Sequence, residues 1–174
     1  MPTLTVWQYD TPMGAEAAEV RLKGLQERGE LTVHDAITVA WMHGAHQPRV
    51  GHLRHATSSA AGKGSLLGAL VGMLVLAPAA GAAAGAGVAV VAQRLRGTGI
   101  DQDFLEEVIA HLVPGTSAML VLSSDADPQA VRAVIERGLA RGDVVLLRAE
   151  LADDAPEVIR ELVRDVSQGP STDD

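Results

Sequence analysis

Five of the six histidines, His34, His43, His46, His52 and His55, lie between positions 34 and 55. Neutral imidazoles gathered in this way are the side chains that bind Zn, Ni or Cu. His43-x-x-His46 and His52-x-x-His55 flank one predicted turn. The spacing is not the i, i+4 pair of a helical zinc site. On a strand, residues three apart point to opposite faces. His43, His46, His52 and His55 are therefore weak metal candidates, and the plainer reading is an exposed polar hairpin with no native metal. A pH-responsive surface lies between the two, because imidazole titrates near about pH 6.5.

Other patterns fall short of a reaction site. Gly62-Lys63-Gly64-Ser65 lacks the spacing of a phosphate loop, and no strand runs directly into it. Gly85-Ala86-Gly87 has no third glycine where a dinucleotide fingerprint needs one. Asp101, Asp103, Glu106 and Glu107 open a predicted helix, where acids complement the dipole. Asp125, Asp127, Asp153 and Asp154 fall in turns and helix starts. Ser65 reads as a small packing residue. No nucleophile stands beside a base, so the expectation is a protein without catalytic residues or cofactor.

Composition narrows the classes further. Aromatics are 2% of 174 residues, namely Trp7, Tyr9, Trp41 and Phe104, so sites that grip sugars or bases with rings are disfavoured. The net charge is −8 with no basic stripe, which argues against nucleic acid. There is no cysteine, hence no disulfide and no thiolate site. MPTLTVWQYD lacks the pattern of a signal peptide, so the bulk of the chain is expected to stay in the cytoplasm.

Strands are predicted at 3–9, 31–42, 49–56, 116–123 and 143–148 from β-branched and apolar runs. Helices are predicted at 13–28, with Val20, Leu22 and Leu25 as its apolar face, and at 101–112, 128–141 and 155–166. The expected fold is α+β. It has a ferredoxin-like β-α-β-β-(helical hairpin insertion)-α-β core and an additional C-terminal α-β-α extension. Its parts are 1–58 and 97–166 for the α+β domain, 62–95 for the insertion and 167–174 for a disordered acidic tail. In such an order, strand 116–123 lies beside strand 3–9. Helices 13–28, 101–112 and 128–141 would then cover one side of a shared sheet.

Between Gly64 and Ala92 no residue is charged. Gly64, Gly68 and Gly72 fall four apart, and after Pro78 the register resumes with Gly81, Gly85 and Ala89. Four-residue spacing puts small residues on one helix face, where another backbone can approach. One long span through the membrane would separate strands that must share a sheet. Two helices, 62–76 and 79–95, turning at Pro78 keep both ends together, with Lys63, Arg94 and Arg96 on the same side. Each arm is short for a full crossing of about 30 Å. Burial in the core of a soluble oligomer is the competing reading.

The runs GKGSLLGALVGMLVLAPAAGAAAGAG, GTGIDQDFLEEV and LVPGTSAMLVL carry a resemblance. The hairpin glycines, Pro78, Gly99-Ile100-Asp101, Phe104 and Pro114-Gly115-Thr116-Ser117-Ala118 make it specific. The chain resembles the bacterial family of domain of unknown function 1269 from residue 3 to about 149. The resemblance implies membrane association and supplies no reaction. The expected function is thus non-enzymatic: a homo-oligomer on the cytoplasmic face of the inner membrane, whose hairpin touches the lipid bilayer and other copies. The alternative is a soluble homo-oligomeric binding or pore-like protein with its hairpins in a central helical core.

Overall fold

A computed structural model describes residues 1–53, 65–76, 84–141 and 143–168, without the side chains of 76, 84–87, 135, 137–141 and 166–168. Pro78 and Gly81, where a turn between two helices is expected, Gly62–Gly64, His55 and the residues after 168 lie outside the described residues.

Five strands form one antiparallel sheet: β1 (Thr3–Tyr9), β2 (Thr32–Ala40), β3 (Arg49–His52), β4 (Ser117–Ser124) and β5 (Val144–Glu150). Their order is β3-β2-β4-β1-β5. Strands from both sides of the uncharged segment share this sheet, with Trp7 opposite Met119 on one side and Leu146 on the other. β4 is buried over seven of its eight residues. Its nearly continuous apolar run is what a strand covered on both faces requires.

Alternation in the strands then divides two cores. Leu4, Val6, Ile37, Val39, Leu120, Leu122 and Leu147 face one way. Trp7, Tyr9, Val33, Ala36, Met119, Val121 and Val144 face the other. In β2 a bulge between Val33 and Asp35 resets the alternation, so that Val33 serves the second core while Asp35 turns toward the first.

Among the described residues six helices cover the two faces: α1 (Gly14–Glu27), α2 (Leu66–Leu76), α3 (Ala84–Arg94), α4 (Gln102–Ala110), α5 (Pro128–Arg141) and α6 (Ala155–Gln168). α1 and α5 pack on the Trp7 face, while α2, α3, α4 and α6 supply the Leu4 face. The molecule is therefore α+β with a helical layer on each side of an antiparallel sheet.

Three expectations change. The helix expected at 101–112, α4, lies on the opposite face from α1, because Leu105 and Val108 join the core of Leu4 and Val6. The expected C-terminal extension is integral instead. β5 pairs with β1, and Leu147, Ala149, Leu151, Ala155, Ile159 and Leu162 complete the same core. In α1 the buried residues are Ala15, Ala18, Leu22 and Leu25, while Val20 is 73% exposed. Small alanines turn to the sheet there and let the helix sit close.

Candidate functional site

The uncharged segment contributes α2 and α3, which touch each other; α2 lies over the sheet and α3 packs on α4. α2 packs on β2 and α6. Leu67, Leu70, Val71 and Leu74 of α2 and Val88 and Val91 of α3 are all buried in the core shared with Leu4 and Ile37. The helical pair is thus a layer of the domain as well as a candidate contact surface. Leu66, Ala69, Gly72, Met73 and Ala89 are half-buried, and Val90 is 58% exposed. No charged residue occurs on either helix before Arg94. Among the described residues no helix is long and apolar enough to cross a membrane. At eleven residues each, α2 and α3 reach about 16 Å.

A carboxylate from the sheet fastens α2. Asp35, 7% exposed, accepts a hydrogen bond from the Leu67 amide at 3.0 Å. The Ser65 hydroxyl donates to the same carboxylate, 2.9 Å from its nearer oxygen, and accepts from the Gly68 amide at 2.9 Å. Ser65 is therefore the cap of α2 rather than a packing residue, and Asp35 supplies a second acceptor from β2. Sequence reading missed this pairing because its partners stand thirty positions apart. The only local signal was an acid inside a run of strand-forming residues. α1 is fastened in the same manner. The Ala15 amide donates to the Ser117 hydroxyl at 3.0 Å, and that hydroxyl donates to the Thr11 carbonyl at 2.6 Å.

The glycines of the proposed contact face divide. A Cβ at Gly68 would stand 2.7 Å from the His52 ring and 3.3 Å from Ser65, so this glycine lets β3 approach α2 within the same chain. A Cβ at Gly72 would meet nothing within 4 Å. Gly85 lies in α3 near its start, and Ala89 one turn later. Gly64, Pro78 and Gly81 fall outside the described residues.

The histidines do not converge on one point. His52 packs on Gly68, whereas the His43 ring lies over Gly115, whose φ is +97°. His34 Nε2 is 2.8 Å from Ser124 Oγ, and His46 is exposed. Among the described residues no group of three metal-binding side chains is assembled. His55 lies outside them.

The Gly-Thr-Gly-Ile run after α3 is a built joint. Gly97 and Gly99 have φ of +89° and +94°. A Cβ at Gly99 would collide with the Glu150 carbonyl, so only glycine lets this loop lie against the end of β5. Thr98, 1% exposed, donates its hydroxyl to the Leu95 carbonyl at 2.6 Å, and its own carbonyl accepts from the Ala152 amide at 2.9 Å. Asp101 caps α4, accepting from the Phe104 amide at 2.8 Å. Beside this joint is a cleft of about 530 Å³, lined by Ala89, Ala92, Gln93 and Arg96 from one side and by Gly97–Gln102 residues from the other.

Buried polar atoms also occur at the sheet centre. Gln8 donates to the Val108 carbonyl at 3.3 Å. Tyr9 carries a hydroxyl whose pKa is raised by burial, with the Arg21 guanidinium opposing the shift. None of these groups is set beside a nucleophile.

No curated protein and no solved structure matches the chain. The sequence profile of one family matches residues 61–164, more than half of the chain. The match begins after β3 and includes most of α6, which the resemblance had left outside. It spans the helical pair, the Gly-Thr-Gly-Ile joint and Pro114–Ala118. On that match, the chain belongs to the DUF1269 family of proteins of unknown function.

Proposed function

We propose that this protein acts by association rather than by catalysis: copies assemble through the outer surface of α2 and α3, and the same surface contacts the bilayer. One observation carries the reading. The inner sides of both helices are buried in the domain core, yet their outer sides carry no charged residue before Arg94. A helix on the surface of a lone domain ordinarily turns polar residues outward. Arg94 and Arg96 follow directly, which suits a cytoplasmic, headgroup-level end for the segment.

The test is a pair of measurements on protein prepared without detergent. Light scattering reads its mass, and flotation with vesicles reads bilayer contact. A defined oligomer that floats supports the proposal. A monomer at high concentration that stays with the soluble fraction ends it.

A second reading is a soluble oligomer whose helical pairs are buried between copies. Leu67, Leu70, Val71 and Leu74 favour it, since α2 cannot leave for lipid without exposing Ile37 and Val39. It gives the oligomer without flotation. The fold supports a finer description too. β1-α1-β2 and β4-α5-β5 are two strand–helix–strand units with both helices on one face, which supports reading the fold as ferredoxin-like with β3 and further helices added.

A further inference from the structure

The cleft beside the Gly-Thr-Gly-Ile joint lies where the surface of α3 changes character. From Ala84 to Ala92 the helix is uncharged; Gln93, Arg94 and Arg96 follow. Ala89, Ala92 and Gln93 fall on one side of α3 and, with Arg96 in the turn just past its end, form one wall. The two alanines leave an apolar floor, continued by Ile100. Arg96 stands at the charged end of that wall. Arg94 is paired with Asp165 at 2.9 Å, whereas Arg96 makes no ion pair among the described residues. The opposite wall carries Asp101, whose Oδ1 accepts from Phe104 while Oδ2 accepts no hydrogen bond among the described residues. Asp103 adds a second acid in the first turn of α4. The cleft therefore offers a cation on one wall, an anion on the other, and an apolar floor leading onto an uncharged helix. The cleft is shallow and open to solvent, about 530 Å³, so it suits the head of a ligand whose remainder lies outside it.

We propose that this cleft binds the head of a zwitterionic phospholipid of the phosphoethanolamine type. The phosphate is held by the Arg96 guanidinium and the ammonium by Asp101, with the Gln93 amide beside them. The acyl chains leave over Ala92 and Ala89 along α3. A purely anionic head would meet Asp101 unfavourably, and a purely cationic one would meet Arg96. Only the course of the chains rests on the bilayer reading above; recognition of the head does not.

The experiment uses the full chain and a dihexanoyl phosphatidylethanolamine dissolved below its micelle concentration, with binding read by calorimetry. Dihexanoyl phosphatidylglycerol lacks the ammonium, and free phosphoethanolamine lacks the chains. The ethanolamine lipid should bind more tightly than either. Arg96→Gln and Asp101→Asn should each weaken it about tenfold or more, the loss of one charge-assisted contact. Asn caps a helix as well as Asp does, so Asp101→Asn keeps α4 while removing the charge. Asp101→Asn should leave phosphatidylglycerol binding no weaker. If the ethanolamine lipid gives no binding, or both variants bind it like the parent, the site is overturned. If free phosphoethanolamine binds as tightly as the lipid, the occupant is a soluble zwitterion and the lipid assignment is overturned. Dissolved lipid needs no bilayer, and oligomer mass measured on the same samples reports separately on assembly.

Discussion

Asp35 stands in a strand whose other residues, His34 apart, are apolar or β-branched, and it holds the cap of a helix thirty positions away. Asp35→Ala leaves the Leu67 amide and the Ser65 hydroxyl without their acceptor. Stability should fall by about 1–3 kcal/mol in urea unfolding. Asp35→Asn keeps an acceptor and should lose less; unchanged stability in Asp35→Ala would mean that the carboxylate does not cap α2. Tyr9 gives a second test, in alkali. Burial raises its pKa from the ordinary 10.0, with Arg21 opposing. The folded state therefore favours the neutral phenol. Its contribution is complete below the unfolded value of 10.0 and is lost as pH rises through the higher folded value. Unfolding free energy should decline as pH rises above 10, and Tyr9→Phe should flatten that decline. A variant as alkali-sensitive as the parent would point to another group.

At the level of elements, the chain announced where its helices and strands are far better than what they cover. The expected strand at 3–9 and the helix at 128–141 match β1 and α5 residue for residue. Periodicity, Asp-Pro at a helix start and β-branched runs are local signals, and these elements have them. The side that each helix covers is set by partners elsewhere. α2 is apolar all round, so its sequence marks no inner face. Such a sequence looks like an insertion, because nothing local says that Leu67 and Leu70 complete a core begun by Leu4. The four-residue register of the glycines is legible in the sequence, but which of them pack inside the chain is not, because His52, which fills the space beside Gly68, comes from a distant strand. Gly68→Leu should now disturb the fold itself, since His52 and Ser65 occupy the space of its Cβ. Gly72→Leu has open space and better helix propensity, by roughly 1 kcal/mol, so it should hold or raise stability. If copies meet at this face, it should also lower the mass seen by light scattering. Leu74→Ala empties a core position only 4% exposed and should cost about 2–5 kcal/mol. Any difference in oligomer size between these variants must therefore be read beside their stabilities.

Over the whole molecule, the family segment and the folding unit do not coincide. Residues 61–164 contain β4 and β5, but these are not neighbours in the sheet. β1 lies between them and pairs with both, and it comes from outside the matched stretch. A fragment of residues 61–174 should therefore lack cooperative unfolding by circular dichroism, despite containing the full family match. Supplying residues 1–60 as a separate chain should restore it. A fragment that melts cooperatively alone would show that the sheet can close without β1.

That central place of β1 also sets an order of events during synthesis. Thr3 waits for Ser123 and Glu150 before its two neighbours exist. The uncharged segment leaves the ribosome earlier, when Asp35 is already made but β4 is not. For that interval Leu67, Leu70, Val71 and Leu74 have no completed sheet to cover. Chains are made at about 5–20 residues per second, so the interval lasts on the order of seconds. During it, the same leucines are open to any other apolar surface that reaches them first. The last third of the chain thus decides by its arrival whether the helical pair settles on its own sheet.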